Sequence, residues 1–264
     1  MKEITLDKVT GVLTLAMAVI VWQFIVGVVP LVLPSFAEAA PDFYKGTPSP
    51  TEVFASTAEY TKTGEIFVHM AWSYSRFFIA YILAALIGIP LGIGMGYSDT
   101  LRTVTMPLVN LIRPIPPVAK IPISILWFGL GEFQKWFIIF FGAFFPILMD
   151  TMGGVMTVER RHLHLANMLE ANEWTKFRKV VLPAALPAIV TGLRIGMAIG
   201  FECLVAAELV AHRGVGLGFL IERGRYVLAY DQVVMGMLSV GVLVFLMDAA
   251  FRRVEKRVLR WKYA

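Results

Sequence analysis

At 264 residues the chain could hold one domain or two, but 58% hydrophobic residues against 16% charged, with a mean hydropathy of +0.71, is too apolar for a soluble globule, whose apolar share is about 45–50%. The composition points to an integral membrane protein. The net charge of +5 does not argue for nucleic acid, because the basic residues collect between apolar runs and at the C-terminal end, and a single cysteine excludes an intrachain disulfide.

Lys2 to Lys8 form a short basic lead, and residues 9–37 then carry no charge. Since about 20 apolar residues cross a bilayer, residues 11–33 are predicted as a first span. A secretory leader competes with this reading, helped by the small-residue run Ala37-Glu38-Ala39-Ala40, although the apolar core exceeds the about 7 to 15 residues usual for a leader. Residues 35–75 are mixed and polar, punctuated by Pro41, Pro48 and Pro50, with Thr51 to Tyr60 predicted helical. No charge occurs between Arg76 and Asp99, which gives a second span over residues 77–97. There Gly88, Gly92 and Gly96 clear one stripe for a neighbouring helix, and Pro90 should bend the segment. The third span, residues 103–128, holds Pro107, Pro114, Pro116, Pro117 and Pro122, too many for a continuous helix. A broken helix at membrane depth needs cover for its freed backbone groups, so this segment is expected on the inner side of the bundle. Residues 136–156, 183–210 and 233–251 supply the fourth to sixth spans, with a glycine-rich connector over 212–231. The whole, residues 1–264, reads as one membrane domain. Lys2, Lys8, Arg102, the basic residues of 159–182 and the cluster Arg252, Arg253, Lys256, Arg257, Arg260 and Lys262 then fall on one side, which places both termini in the cytoplasm.

The long polar interruption over residues 159–182 is patterned. Leu165, Met168 and Leu169 fall at i, i+3 and i+4, and Trp174, Phe177 and Val181 repeat the spacing after Glu170-Ala171-Asn172-Glu173. Two short amphipathic helices joined by a turn are predicted, with Leu182-Pro183 opening the next span. The run from Ala166 to Pro187, with V-x-L-P-A-A-L-P and then Thr191-Gly192-Leu193-Arg194-Ile195-Gly196, resembles the cytoplasmic coupling loop of ABC-importer permeases of the nitrate/sulfonate/taurine (bicarbonate) branch. The likeness extends to GIPLGIGMGYS, LVNLIRPIPPVAKIPISILWFGLGE, FFPILMDTMGGV, VAAEL, GVGLGFLI and the basic end with Trp261, covering roughly residues 70–262. The family's loop signature begins Glu-Ala-Ala and carries a glycine four residues after the second alanine. Here those places hold His164-Leu165-Ala166 and Glu170.

Nothing in the spacing marks an enzyme. His162 and His164 stand at i, i+2 and point to different helix faces, His69 and His212 are remote, and neither a metal pair nor a catalytic dyad results. No G-x-x-x-x-G-K-[ST] phosphate loop occurs. Charges inside the spans are more telling. Arg113 and Arg194 each lie on the order of 15 Å from the cytoplasmic end of their spans, near the middle of a core about 30 Å thick. One reading makes them, with Glu202, part of a polar path for a small anion that guanidinium grips bidentately. The other makes each arginine a tie for helix ends or for the broken backbone at Pro114. Glu208 is expected to find a structural partner, with the glycine-rich connector as the other candidate.

The resemblance implies a type I ABC importer permease: six transmembrane helices, a coupling-helix loop, and no cofactor in this chain, with ATP and Mg held by a separate ABC ATPase. It implies as partners that ATPase, a second permease copy, an external solute-binding protein and membrane lipid. The loop over residues 35–75 is then either a surface for the delivery protein or a solvated connector. Ala166, Leu169, Glu170, Ala171 and Trp174 would make the ATPase contact, unless the loop is only a membrane-surface anchor. A secondary transporter would be expected to show inverted repeats and midplane carboxylates, and a channel subunit would need no ATPase.

Overall fold

The computed structural model describes residues 2–39, 41–210 and 214–260, and among these every regular element is helical. His212, Trp261 and Lys262 lie outside the described residues. Helix α1 (Lys2–Gln23), a π turn (Phe24–Val28) and α2 (Val29–Val32) take the place of the first expected span, and Ala16–Val32 is its apolar stretch. Pro30, with no N–H, cannot complete the α ladder there. Two short helices, α3 (Pro34–Ala39) and α4 (Pro41–Gly46), precede α5 (Pro50–Thr63). Helix α5 begins at a reciprocal capping box between Ser49 and Glu52 and ends at Gly64, whose φ of 79° favours glycine.

Among the described residues, four helices are long and apolar enough to cross a membrane: α6 (Glu65–Tyr97), α9 (Glu132–Met156), the continuous run Glu173–Leu209, and α14 (Tyr230–Val258). The pair α7 (Asp99–Ile112) and the segment Pro117–Phe128, which ends in α8 (Ile121–Phe128), is long and apolar enough only when taken together; its halves are bent by 82°, the geometry of a broken span or a re-entrant loop. The proline-rich stretch therefore breaks the third span as expected. Its backbone is covered from within the chain. Lys120, buried, donates from Nζ to the Ile115 carbonyl at 2.5 Å, and the Ala119 N–H meets the Pro116 carbonyl at 3.0 Å.

Several span limits move outward from expectation. Helix α6 starts at Glu65, not near Phe77, because the Arg76 charge that marked the boundary is neutralised inside the fold. The fifth span starts at Glu173, where α11 (Glu173–Lys176) runs through a π turn (Phe177–Val181) into α12 (Leu182–Leu209). The second amphipathic helix is thus the first turns of the span itself, a correction to the two separate helices expected. The π turn falls just before Pro183, whose missing N–H would otherwise leave a gap in the ladder.

The chain divides into two compact units. Met1–Met70 with His212–Val240 form the first, centred on buried Val53, Ile66, Leu220 and Met235. Within it the connector expected as a glycine-rich loop contains α13 (Leu217–Tyr226), because Leu217 and Leu220 share one face and are both fully buried.

Ala71–Ala211 with Gly241–Ala264 form the second unit. The Gly88-Gly92-Gly96 stripe of α6 lies on α9, where a Cβ at Gly92 would sit 2.7 Å from the Leu148 carbonyl oxygen and one at Gly96 would sit 2.6 Å from Val155 Cβ. Helix α12 meets α9 as closely: a Cβ at Gly196 would stand 2.9 Å from the Ala143 carbonyl oxygen, and Gly154 of α9 faces Ala188. Small residues thus let three backbones touch.

Candidate functional site: a helical loop and a charged cavity

Helix α10 (Arg160–Met168) forms the first half of the loop between α9 and the Glu173–Leu209 run. It closes by a hydrogen-bonding scheme fixed by the chain. The Ala171 N–H donates to the Ala166 carbonyl at 3.0 Å and the Glu170 N–H to the Asn167 carbonyl at 3.0 Å, the two bonds of a Schellman motif. That motif needs a left-handed residue after the cap, and Glu170 supplies it with φ at 49°. Glycine would do so without the Cβ penalty. The next turn is capped by Asn172, whose Oδ1 accepts from the Thr175 N–H at 2.8 Å.

The five residues expected at the ATPase contact are gathered here, but not in one role. Leu169 and Trp174 are exposed, at 81% and 66%, and Glu170 is exposed beside them. Ala171 is half-buried. Ala166 is buried beneath the turn, its carbonyl committed to Ala171, so it shapes the surface without forming it. Met168, also 81% exposed, completes the apolar surface with Leu165. Met168 was readable from the same i, i+3 pattern. The loop is pinned to α6 at its second half: the Tyr97 hydroxyl donates to the Glu173 carboxylate, and the Tyr97 ring meets Phe177 edge-on. A cavity of about 540 Å³ beside this joint is lined by Tyr97, Asp99, Arg102, Asn167, Glu173 and Lys176 among others.

The two arginines at mid-span do not meet. Arg194 is taken up by the last helix, with Asp248 at 3.1 Å and Glu255 at 3.7 Å, while Arg252 holds the other oxygen of Asp248 at 2.7 Å. The neighbouring Ile195, about 100° further round α12, faces elsewhere. With Ile199 it lines a cavity of about 340 Å³ whose other walls come from the α7–α8 break and from Phe141 to Asp150 of α9. Arg113 opens into this cavity, at the C-terminal cap of α7. Glu202 follows Ile199 along α12 but is exposed and outside the lining.

Sequence reasoning missed Asp150 and a second charge cluster. Asp150 shares the cavity with Arg113, and a lone carboxylate in an apolar span was the available signal. In the cluster, buried Arg76 grips Glu132 with Nε at 2.5 Å and Nη2 at 2.7 Å, and reaches Glu208 with Nη1 at 2.9 Å. Ser73 donates to Glu208, and Lys135 to Glu132 at 3.1 Å. Glu208 thus has the structural partner expected of it, on α6.

Four long apolar helices, a proline-broken pair and a polar loop closed by a Schellman turn fit a multi-pass membrane permease. Residues 84–260 match the family described as binding-protein-dependent transport system inner membrane component. The chain belongs to that family, the permease subunits of ABC importers, and is a transport protein rather than an enzyme. It is 39% identical over 193 residues to the taurine transport system permease protein of Escherichia coli (strain K12), covering 73% of this chain and 70% of the relative. To the nitrate import permease protein of Leptolyngbya laminosa it is 32% identical, over 74% of this chain and 69% of that one. The fold, that of type I ABC importer permeases, is shared with a chain of the MetNI methionine ABC transporter in inward facing conformations, with a TM-score of 0.62 at 21% identity, covering 73% of this chain and 96% of that one.

Proposed function

We propose that this permease is driven by a separate ATPase subunit docked on the 160–176 loop, with two permease copies enclosing the path and an external binding protein delivering the solute. Both termini and the loop lie in the cytoplasm in this reading, where their basic residues are retained. ATP and Mg belong to the ATPase, and this chain holds no cofactor. The solute is small and of the taurine, sulfonate, nitrate or bicarbonate kind carried by the relatives.

The observation that carries the reading is the exposed apolar surface of Met168, Leu169 and Trp174 on a turn fixed by three hydrogen bonds and continuous with the Glu173–Leu209 run. Large exposed apolar side chains on an otherwise polar segment mark a protein contact. A rigid helix end set in a groove of the ATPase would convert closure there into tilting of α12. Because Ala166 is buried, the cleaner probe is Leu169→Asp, which charges the contact without opening the turn. ATP-driven uptake by the assembled transporter should fall at least roughly tenfold, and the ATPase should co-purify less well, a loss of about 1.4 kcal/mol or more in docking. Undiminished uptake and co-purification would show that the loop is only a surface anchor. Uptake that continues with a hydrolysis-dead ATPase would instead indicate a channel or a gradient-driven carrier.

A further inference from the structure

Helix α14 has two faces toward its C-terminal end, and only one of them is matched within the chain. Asp248, Arg252 and Glu255 lie within about 60° of one another around the helix. This face turns to α12, where Arg194 meets both carboxylates and Arg252 holds the first. Val242, Leu246, Arg253 and Arg257 lie about 120–180° round from Asp248, and all four are exposed. On this second face an apolar stripe, Val242 and Leu246 with Phe245 beside them, runs into a basic one, Arg253 and Arg257 with Lys256 beside them. Arg253 bonds to the Ala249 carbonyl of its own helix at 3.3 Å. Among the described residues no carboxylate pairs with Arg253, Lys256 or Arg257, since Asp248 and Glu255 are spent on the other face.

A hydrocarbon core about 30 Å thick takes about 20 helical residues, so a crossing counted from Gln232 ends at Phe251. Arg253 then stands at the edge of the hydrocarbon and Arg257 one turn beyond it, among the headgroups. The change from apolar to basic along one exposed face falls where a lipid changes from chain to phosphate. We propose that this face holds an anionic phospholipid of the inner leaflet, with its phosphate between Arg253 and Arg257 and an acyl chain along Leu246 and Val242. The inference rests on the cytoplasmic C-terminus of the permease reading above. Side chains at i, i+4 are about 5–6 Å apart at Cβ, so two guanidinium groups can share one phosphate. A choline headgroup would bring a further cation among Arg253, Lys256 and Arg257, which favours a headgroup of net negative charge. A second copy of the chain seated on this face would set like charges against like across the two-fold axis. The ATPase, a soluble subunit, cannot follow the stripe into the hydrocarbon. Retention of positive charge in the cytoplasm accounts for the side on which the cluster lies, but not for its continuity with an apolar stripe.

The test uses the complete permease–ATPase complex in nanodiscs of equimolar phosphatidylglycerol and phosphatidylcholine, with native mass spectrometry counting the lipids that stay bound on release. The wild-type complex should keep phosphatidylglycerol over phosphatidylcholine by at least roughly tenfold. Arg253→Gln with Arg257→Gln should cut that preference by at least roughly threefold. Arg178→Gln with Lys179→Gln, an equal loss of exposed charge elsewhere, should change it by less than about twofold. Equal retention of the two lipids by the wild type, or an equal fall in both double variants, overturns the proposal, and the wild-type comparison stands even if a variant fails to assemble. Loss of the ATPase from Arg253→Gln with Arg257→Gln, at unchanged lipid preference, overturns it as well and gives the face to the ATPase. Topology is read separately in spheroplasts, from the reaction of Ala264→Cys with a membrane-impermeant maleimide, Cys203 being buried. Labelling from outside defeats the cytoplasmic placement, whereas a protected terminus without lipid preference defeats only this inference.

Discussion

Two charged groups of the second unit both draw on α9, and they differ in how completely they are matched. Around Arg76 every charge has an opposite: two cations, Arg76 and Lys135, share two carboxylates, Glu132 and Glu208, and the guanidinium is bidentate on one of them. At Arg113 and Asp150 two opposite charges face one cavity without pairing. The first arrangement is closed on itself and ties α6, α9 and α12 together. The second pair stands on separate backbones, the end of α7 and the length of α9, with no ion pair between its members among the described residues. An intramembrane charge is therefore informative less by its presence than by whether the fold has already met it.

Breaking the matched group should have the largest effect. Arg76→Met leaves Glu208 buried with its main counter-charge gone, which costs about 3–5 kcal/mol. Thermal unfolding of the detergent-solubilised chain should show a large drop, and a change within error would mean that the cluster is dispensable. Glu170→Gly sharpens the contrast between bundle and loop. Removing the left-handed penalty should stabilise the turn by about 1 kcal/mol, seen as roughly fivefold more protection from hydrogen exchange at the amides of residues 170 and 171. The smallest effect belongs to the unmatched group. Arg113→Met removes no ion pair, so unfolding should move by less than about 0.5 kcal/mol, while transport falls. A loss of stability near that of Arg76→Met would mean that Arg113 is a structural tie after all.

Much of this was legible in one dimension. The first loop helix followed from the spacing of Leu165, Met168 and Leu169, while the second did not stand apart from the span. The broken span followed from its prolines, and the close contact of α6 from three glycines. Its partner, α9, was not named by the spacing. Arg76 was taken as a boundary because charge usually ends an apolar span. Its partners lie 56 and 132 residues away in the chain, a separation that no local pattern reports. Arg194 stayed between two readings, path or tie, for the same reason. Depth along a helix is countable from sequence, but the side it faces is decided by Asp248 and Glu255 on a helix that only the fold brings near. Glu170 was noticed as a departure from a family glycine, and the backbone explains the preference: the motif still forms, with a strained residue in it.

The glycine contacts have one more consequence. Sliding α6 past α9 by a single residue, about 1.5 Å, would drive neighbouring side chains into carbonyl oxygens that now have no room even for a methyl group. The same holds between α9 and α12. These three helices have no shear plane, so whatever motion alternates access to the two faces of the membrane must carry them as one block and find its give at their borders.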